Sequence, residues 1–157
     1  MKSKIAVLIV LMLSVSAGSF AQILTPAKWT VELSKKDIKV GDVIEVVFKA
    51  KIDKSWHVYS NDFDPDLGPI LIEFDFENHA SYERIGKVKP INAHKKYDKI
   101  WEGDVSYFEN TAEMRQKIKV KSLPLHVEGT FDFQTCSDQT GQCVMGDDEF
   151  DLNYPSK

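Results

Sequence analysis

The sequence predicts an all-β domain with the architecture of an immunoglobulin-like β-sandwich. After residue 21, apolar and polar residues alternate with a period of two in one segment after another, as in strands with one buried and one solvated face. Turn-forming pairs such as Gly41-Asp42 and Gly68-Pro69 separate these segments. No run of ten or more residues in this part has apolar residues at helical spacing. About eight strands at turn-punctuated intervals favour a single sandwich of two antiparallel sheets.

The clearest strands are three segments whose even-numbered positions are almost all apolar. Residues 44–52, 70–77 and 112–121 follow this pattern, with mostly charged residues at the odd-numbered positions. Shorter or weaker alternation predicts the other strands. In chain order, the predicted strands are residues 29–33, 44–52, 56–59, 70–77, 82–88, 112–121, 125–136 and 149–154.

The first 21 residues are predicted to be an export signal rather than part of the fold. Two lysines precede an almost unbroken apolar run over residues 5–15, and small residues flank Phe20 at the positions required for cleavage before Gln22. The apolar run is too short to span a bilayer comfortably. We therefore expect one mature domain, residues 22–157, in the periplasm, or secreted if the organism lacks an outer membrane.

Charge and hydropathy exclude several classes of partner. The chain has 20 Lys and Arg against 24 Asp and Glu, a net charge of −4 at pH 7. Removal of the signal takes away two lysines and no acidic residue, so the mature domain is more acidic still. An acidic surface repels phosphates, and nucleic acid is not an expected partner. No second apolar stretch approaches membrane length, so direct membrane insertion is not expected after the signal is removed.

Cys136 and Cys143 are the two cysteines of the chain, and strand parity predicts where they point. Phe131 and Phe133 share one parity and Cys136 has the other, so Cys136 falls on the polar face of its strand. The sequence therefore predicts a solvent-accessible pair that forms a disulfide between two antiparallel strands, as exported proteins permit.

The function of this disulfide stays open at the level of spacing and parity. A bond that closes a loop of about eight residues contributes roughly 2.5 kcal/mol, against about 4.7 kcal/mol for a loop of about a hundred. Such a small stabilisation is compatible with redox exchange through a mixed disulfide, although surface hairpin disulfides are common. The alternative is a structural clip on a surface hairpin.

Metal and cofactor chemistry finds little support in the sequence. The four histidines are scattered without the spacing of a zinc site, so we predict no metal centre and no cofactor. Asp62, Asp64, Asp66 and Glu73 imitate part of a calcium-binding loop, but Leu67 stands where such a loop needs glycine. The alternative is a solvated acidic loop.

The least regular stretch of the chain, residues 89–104, contains Trp101 among charged residues. A large aromatic residue in such a polar run lacks the alternation that would assign it to a core strand. Two interpretations remain. Trp101 caps one end of the sandwich core, or it shields a functional group.

Four motifs in this order resemble the N-terminal periplasmic domain of the disulfide reductase DsbD. They are Trp56-His57-Val58-Tyr59-Ser60, Gly68-Pro69-Ile70, Tyr107-Phe108-Glu109-Asn110 and the segment from Cys136 to Cys143. The resemblance implies an immunoglobulin-like sandwich that receives electrons from a membrane domain and passes them to periplasmic thioredoxin-fold proteins.

The resemblance also implies roles for individual residues. Cys143 matches the cysteine that forms the mixed disulfide with a partner, and Cys136 matches the one that resolves it. Residues 97–103 match a cap loop over the cysteines, in which Trp101 is expected nearest the sulfurs. The further residues assigned by resemblance are Tyr97 and Ile100 in the cap loop, and His57 and Tyr59 beside the active site.

The chain departs from the family pattern in ways that bear on function. Val144-Met145-Gly146 follows the second cysteine where the family often has proline, and the sequence ends at Lys157 without a membrane carrier. A separate polypeptide is therefore the expected electron donor. The predicted function is a periplasmic thiol–disulfide interchange module, a component of an oxidoreductase system. The alternative is a non-catalytic exported immunoglobulin-like domain with a binding or structural role.

Overall fold

The computed structural model describes residues 24–99 and 101–155, so the predicted export signal lies outside the described residues. No helix within these two ranges is long and apolar enough to cross a membrane. The described chain forms a short 3-10 helix, Pro65–Leu67, and a series of strands. They are β1 (Ala27–Leu33), β2 (Val43–Ile52), β3 (Trp56–Tyr59), β4 (Glu73–Phe76), β5 (Tyr82–Pro90), β6 (His94–Asp98), β7 (Gly103–Glu109), β8 (Thr111–Val120), β9 (Leu125–Ser137) and β10 (Cys143–Tyr154).

The strands form two antiparallel sheets packed face to face. One sheet has the order β1-β2-β8-β5, and the other has the order β10-β9-β3-β7-β6 with β4 also paired to β9. Phe48 of the first sheet packs between the sheets against Phe131 and Phe150 of the second, with ring centroids 5.4 and 5.1 Å apart. The predicted all-β, immunoglobulin-like sandwich is confirmed.

Alternation explains which side chains fill this core. In β2, Ile44, Val46 and Phe48 are almost completely buried, as the even-numbered positions predicted. β8 pairs with β2 so that Phe48 lies opposite Met114, which is also buried. Each of these two strands contributes one face to the apolar layer, and burial of this layer is the main favourable term for folding.

The stretch predicted to be irregular, residues 89–104, contains strand β6 and the beginning of β7. β6 is the edge strand of its sheet, and its residues are exposed or only partly buried. A strand without a buried face needs no apolar alternation, so the sequence pattern could not reveal it.

β7 was not among the predicted strands, and two predicted strands begin three or more residues away from their true start. β4 begins at Glu73 rather than at residue 70, and β10 begins at Cys143 rather than at residue 149. Gly146 sits within a continuous ladder opposite Phe133. A Cβ atom at Gly146 would collide with the Phe133 ring, so glycine makes room for a core side chain here.

Candidate functional site

The disulfide joins the two strands where their hairpin closes. Cys136 is the second-last residue of β9 and Cys143 begins β10, and the two residues are direct partners in the antiparallel register with Cα atoms 4.1 Å apart. Within the turn, the Ser137 amide donates to the Gln142 carbonyl at 2.8 Å, and the Gly141 amide donates to the Ser137 carbonyl at 2.9 Å. The predicted disulfide between antiparallel strands is confirmed.

The two sulfur-bearing residues differ sharply in exposure. Cys143 is exposed, whereas Cys136 is only 5% exposed. Strand parity was right, because Cys136 points away from the face that carries Phe131 and Phe133. The prediction that both cysteines face solvent was wrong for Cys136, because a second apolar cluster covers the outer face of the sheet at this end. Besides Cys136, this outer cluster contains Tyr59, Val105, Phe63, Leu67 and Tyr107.

Sheet register places a histidine directly beside the buried cysteine. β3 pairs with β9 so that His57 lies opposite Cys136, and directly opposed residues on adjacent strands share a face. His57 is 6% exposed, and its ring packs edge-on against Tyr59 at 4.9 Å and against Tyr107 at 5.7 Å. The histidine therefore belongs to the lining of the cysteine site.

A carboxylate fixes the orientation of this histidine. Asp138 follows β9, and its backbone amide donates to the Ser55 carbonyl at 2.9 Å. Its Oδ1 lies 2.8 Å from His57 Nδ1. Since a carboxylate oxygen only accepts, Nδ1 carries the hydrogen in this contact. Sequence reasoning placed His57 near the site by resemblance alone and missed Asp138. The signal available was its position two residues after Cys136, on the face that the strand parity assigns to the cysteine.

The tyrosines around the disulfide stay in their neutral form. Burial raises the pKa of the Tyr59 phenol, and a hydrogen bond with the Trp101 side chain opposes part of that rise. Burial also raises the pKa of Tyr107, and the nearby carboxylates of Glu109 and Asp138 act in the same direction. Neither phenol is a source of protons or charge at neutral pH.

The predicted cap loop packs beside this outer cluster. Trp101 is 38% exposed, and its ring packs against Gly68, where φ is +113° and a Cβ atom would overlap the ring. Leu67 packs in the same way against Gly103. The loop therefore reaches the outer cluster through Leu67 and through the hydrogen bond between Trp101 and Tyr59.

The other cap-loop residues contribute less to this packing. Tyr97 is 62% exposed, and Ile100 lies outside the described residues. Trp101 contacts Gly68 and Tyr59, and both interpretations of this residue, as a cap on the core and as a shield, stay predictions. Its expected position nearest the sulfurs stays a prediction.

The acidic loop does not gather the carboxylates that the calcium interpretation needs. Asp62 pairs with Lys95 at 3.1 Å, and Asp64 accepts a hydrogen bond from the Asp66 amide at the start of the 3-10 helix. Within residues 24–99 and 101–155, the group of potential ligands close enough to share a metal ion is His126, Glu128 and Asp151. That group lies on β9 and β10 at the end far from the disulfide.

Comparison with known proteins identifies the family. The model of the N-terminal domain of the thiol:disulfide interchange protein DsbD matches residues 24–155. No curated protein matches the chain. The chain is similar to the reduced Neisseria meningitidis DsbD N-terminal domain, with 16% identity over 69% of this chain and 75% of that chain and a TM-score of 0.49.

A second solved structure supports the shared fold. It is the complex between the DsbD N-terminal and PilB N-terminal domains from Neisseria meningitidis, with 14% identity over 80% of this chain and 86% of that chain and a TM-score of 0.53. The resemblance predicted from the sequence motifs is thus confirmed over nearly all the described residues. The chain belongs to the family of DsbD N-terminal domains.

Proposed function

We propose that this chain is a periplasmic thiol–disulfide interchange module that relays electrons through Cys136 and Cys143 to or from thioredoxin-fold partners. Family membership and the disulfide together support thiol–disulfide exchange. The observation that carries the finer proposal is the unequal exposure of the two cysteines, since Cys143 is open to a partner and Cys136 is covered. A hairpin clip needs no such difference between its two sulfurs.

Unequal exposure supports different roles for the two sulfurs. A thiolate attacks one sulfur of a disulfide, and access decides which sulfur it reaches. Cys143 Sγ is the sulfur that an incoming protein can approach, so it forms the mixed disulfide. Cys136 then holds the released thiol within the outer cluster and resolves the mixed disulfide by attacking Cys143.

The cap loop, residues 97–103, is proposed to control access from the Cys136 side. Trp101 contacts Tyr59, and Tyr59 belongs to the cluster that covers Cys136. A partner would displace the loop only if it bound the open form more tightly than the closed form. Tyr97 and Ile100 are proposed to move with Trp101, while His57 and Tyr59 stay in the wall of the site.

The proposed partners are thioredoxin-fold proteins together with a separate membrane protein as electron donor. The similar Neisseria meningitidis structure contains a DsbD N-terminal domain in complex with a PilB N-terminal domain, and it supports the use of this fold for docking another protein domain. Residues 22–157 are proposed to act as one domain after removal of the export signal, without a cofactor.

Single-cysteine variants test the roles of the two sulfurs. Cys136→Ala leaves the exposed Cys143 free, and it should accumulate a mixed disulfide with an oxidised thioredoxin-fold protein because the thiol of Cys136, which would resolve it in the forward direction, is absent. Cys143→Ala should accumulate little, because its remaining thiol is buried. Non-reducing electrophoresis followed by peptide mass spectrometry would measure both adducts. Equal trapping by the two variants, or no trapping with any thioredoxin-fold protein, would contradict the proposal.

A further inference from the structure

We propose that His57 transfers a proton to and from the sulfur of Cys136, with Asp138 as the residue that positions its ring. This inference rests on the proposed exchange function and deepens it. The exposure of Cys143 does not explain how the charge on the buried sulfur of Cys136 is neutralised during exchange.

Exchange at Cys143 would place a negative charge on the sulfur of Cys136. When a thiolate attacks Cys143 Sγ, a new S–S bond forms there, the original S–S bond breaks, and its electron pair stays on Cys136 Sγ. Cys136 is 5% exposed and lies among Tyr59, Val105 and other apolar neighbours. An anion without water or a partner is costly in such surroundings. The site therefore needs a proton donor beside this sulfur.

His57 is placed to supply that proton. It lies directly opposite Cys136 in the register of β3 and β9, where side chains on the same face are neighbours with Cβ atoms about 4.5–5.5 Å apart. Its Nδ1 is engaged by Asp138 at 2.8 Å. Its Nε2 is buried and has no hydrogen-bond partner among the described residues. An orphaned polar atom in a buried site incurs a cost that only a function or an unseen partner explains.

The surrounding groups leave His57 as the residue suited to this task. Burial raises the pKa of both Tyr59 and Tyr107, so their phenols hold their protons at neutral pH. Glu109, opposite His57 on β7, is exposed. Histidine is the side chain whose ordinary titration falls near physiological pH. Among the described residues, the titratable groups that contact His57 or lie opposite it in the sheet are Asp138, Glu109, Tyr59, Tyr107 and Cys136 itself.

Protons and electron pairs are conserved in both the forward and the return step. As the incoming sulfur bonds to Cys143, the proton on His57 Nε2 moves to Cys136 Sγ, which leaves a neutral thiol and a neutral imidazole. In the return step, Nε2 takes that proton back, the Cys136 thiolate attacks Cys143 Sγ, and the partner sulfur leaves as a thiolate. Throughout, Nδ1–H donates to Asp138, which keeps Nε2 as the nitrogen that exchanges the proton.

The test uses dithiothreitol as the thiol, because a small reagent needs no protein docking surface. The rate of disulfide reduction is measured from pH 5 to 9 and divided by the fraction of reagent present as thiolate. The corrected rate of the unmodified protein should fall as His57 loses its proton. His57→Gln should remove this pH dependence and lower the corrected rate at low pH by about 100-fold, the lower end of what a positioned general acid contributes.

His126→Gln is the matched control, because His126 also contacts a carboxylate on the same sheet but lies at the far end of β9. It should keep the rate and pH profile of the unmodified protein. A His57→Gln protein with an unchanged corrected rate and profile would overturn the proposal and leave His57 as a packing residue.

A second variant keeps the proposal testable if His57→Gln does not fold. Asp138 has a side chain that is 42% exposed, so Asp138→Asn should preserve the fold. The neutral amide stabilises a protonated ring less than a carboxylate does, so the pH at which the corrected reduction rate falls should become lower. If this pH did not change, the result would count against the role of Asp138 and His57. Because dithiothreitol replaces the protein partner, these outcomes are independent of whether any thioredoxin-fold protein is trapped at Cys143.

Discussion

The two ends of the β9–β10 hairpin each bring a histidine against a carboxylate, but only one end has the surroundings of a chemical site. At the disulfide end, the His57 side chain is 8% exposed and Asp138 holds its Nδ1 at 2.8 Å. At the far end, the His126 side chain is 30% exposed, and its Nε2 lies 3.0 Å from Asp151 and 3.4 Å from Glu128. Similar contact distances therefore accompany different environments.

The difference between the ends comes from what covers the outer face of the sheet. Strands β3 and β7 and the segment around the 3-10 helix bring Tyr59, Val105 and Leu67 over the end of β9 that carries Cys136. In the part of the chain that the structure describes, no such cluster lies over His126, which remains in contact with solvent. Exposed ion pairs contribute at most about 1 kcal/mol, whereas buried polar groups must be satisfied. Burial, rather than the histidine–carboxylate contact, distinguishes the candidate site.

Loss of an aromatic ring from the outer cluster should lower the free energy of unfolding more than the other substitutions that compare the two ends. Tyr59 is almost completely buried, and Tyr59→Ala should lower the free energy of unfolding by about 3 kcal/mol, as for other buried aromatic residues. It should also expose Cys136, so that iodoacetamide alkylates this cysteine faster in the reduced protein. Urea unfolding and peptide mass spectrometry would measure the two effects. Unchanged alkylation of Cys136 would show that Tyr59 does not shield it.

At the disulfide end, loss of the Trp101 ring from the cap loop should lower the free energy of unfolding less than loss of Tyr59. Trp101→Ala removes contacts with Gly68 and Tyr59 and should cost about 1 kcal/mol in the free energy of unfolding, because the side chain is already partly exposed. Reduction of the disulfide by dithiothreitol should become faster. Lys99→Ala is the matched control in the same loop, since Lys99 is exposed, and it should change neither quantity. An unchanged reduction rate with a loss of about 3 kcal/mol or more would identify Trp101 as a structural residue only.

A substitution at the far end of the hairpin should change the free energy of unfolding least. His126→Gln replaces a partly exposed side chain that contacts Asp151 and Glu128, and it should change the free energy of unfolding by less than about 0.5 kcal/mol. The rate of disulfide reduction should not change. A loss of exchange activity in this variant, measured with dithiothreitol, would remove the contrast between the two ends.

Most of the fold could be predicted because buried faces leave a period-two pattern in the sequence. The even-numbered residues of β2 predicted that strand and its buried face correctly. β6 could not be predicted in this way, since it is an edge strand without a buried face. β10 was predicted too short because Gly146 resembles a strand breaker in the sequence, whereas in the structure it accommodates the ring of Phe133.

The candidate site was predictable only in part, because its burial is a tertiary property. Parity placed Cys136 on the outer face correctly, but a sequence pattern does not show that other strands cover that face. Val105 and Tyr59 approach Cys136 from β7 and β3, which are distant from β9 in the sequence. The contact between Asp138 and His57 joins residues 81 positions apart and likewise depends on the order of the strands.

The reduction potential of the Cys136–Cys143 disulfide tests the central claim most directly. The protein is equilibrated with mixtures of reduced and oxidised glutathione or dithiothreitol, and the fraction of free thiols is measured by alkylation and mass spectrometry. An exchange-active disulfide with one open sulfur should have a potential above about −300 mV, within reach of thioredoxin-fold partners. A potential below about −300 mV would identify the bond as a structural clip and contradict the proposed function.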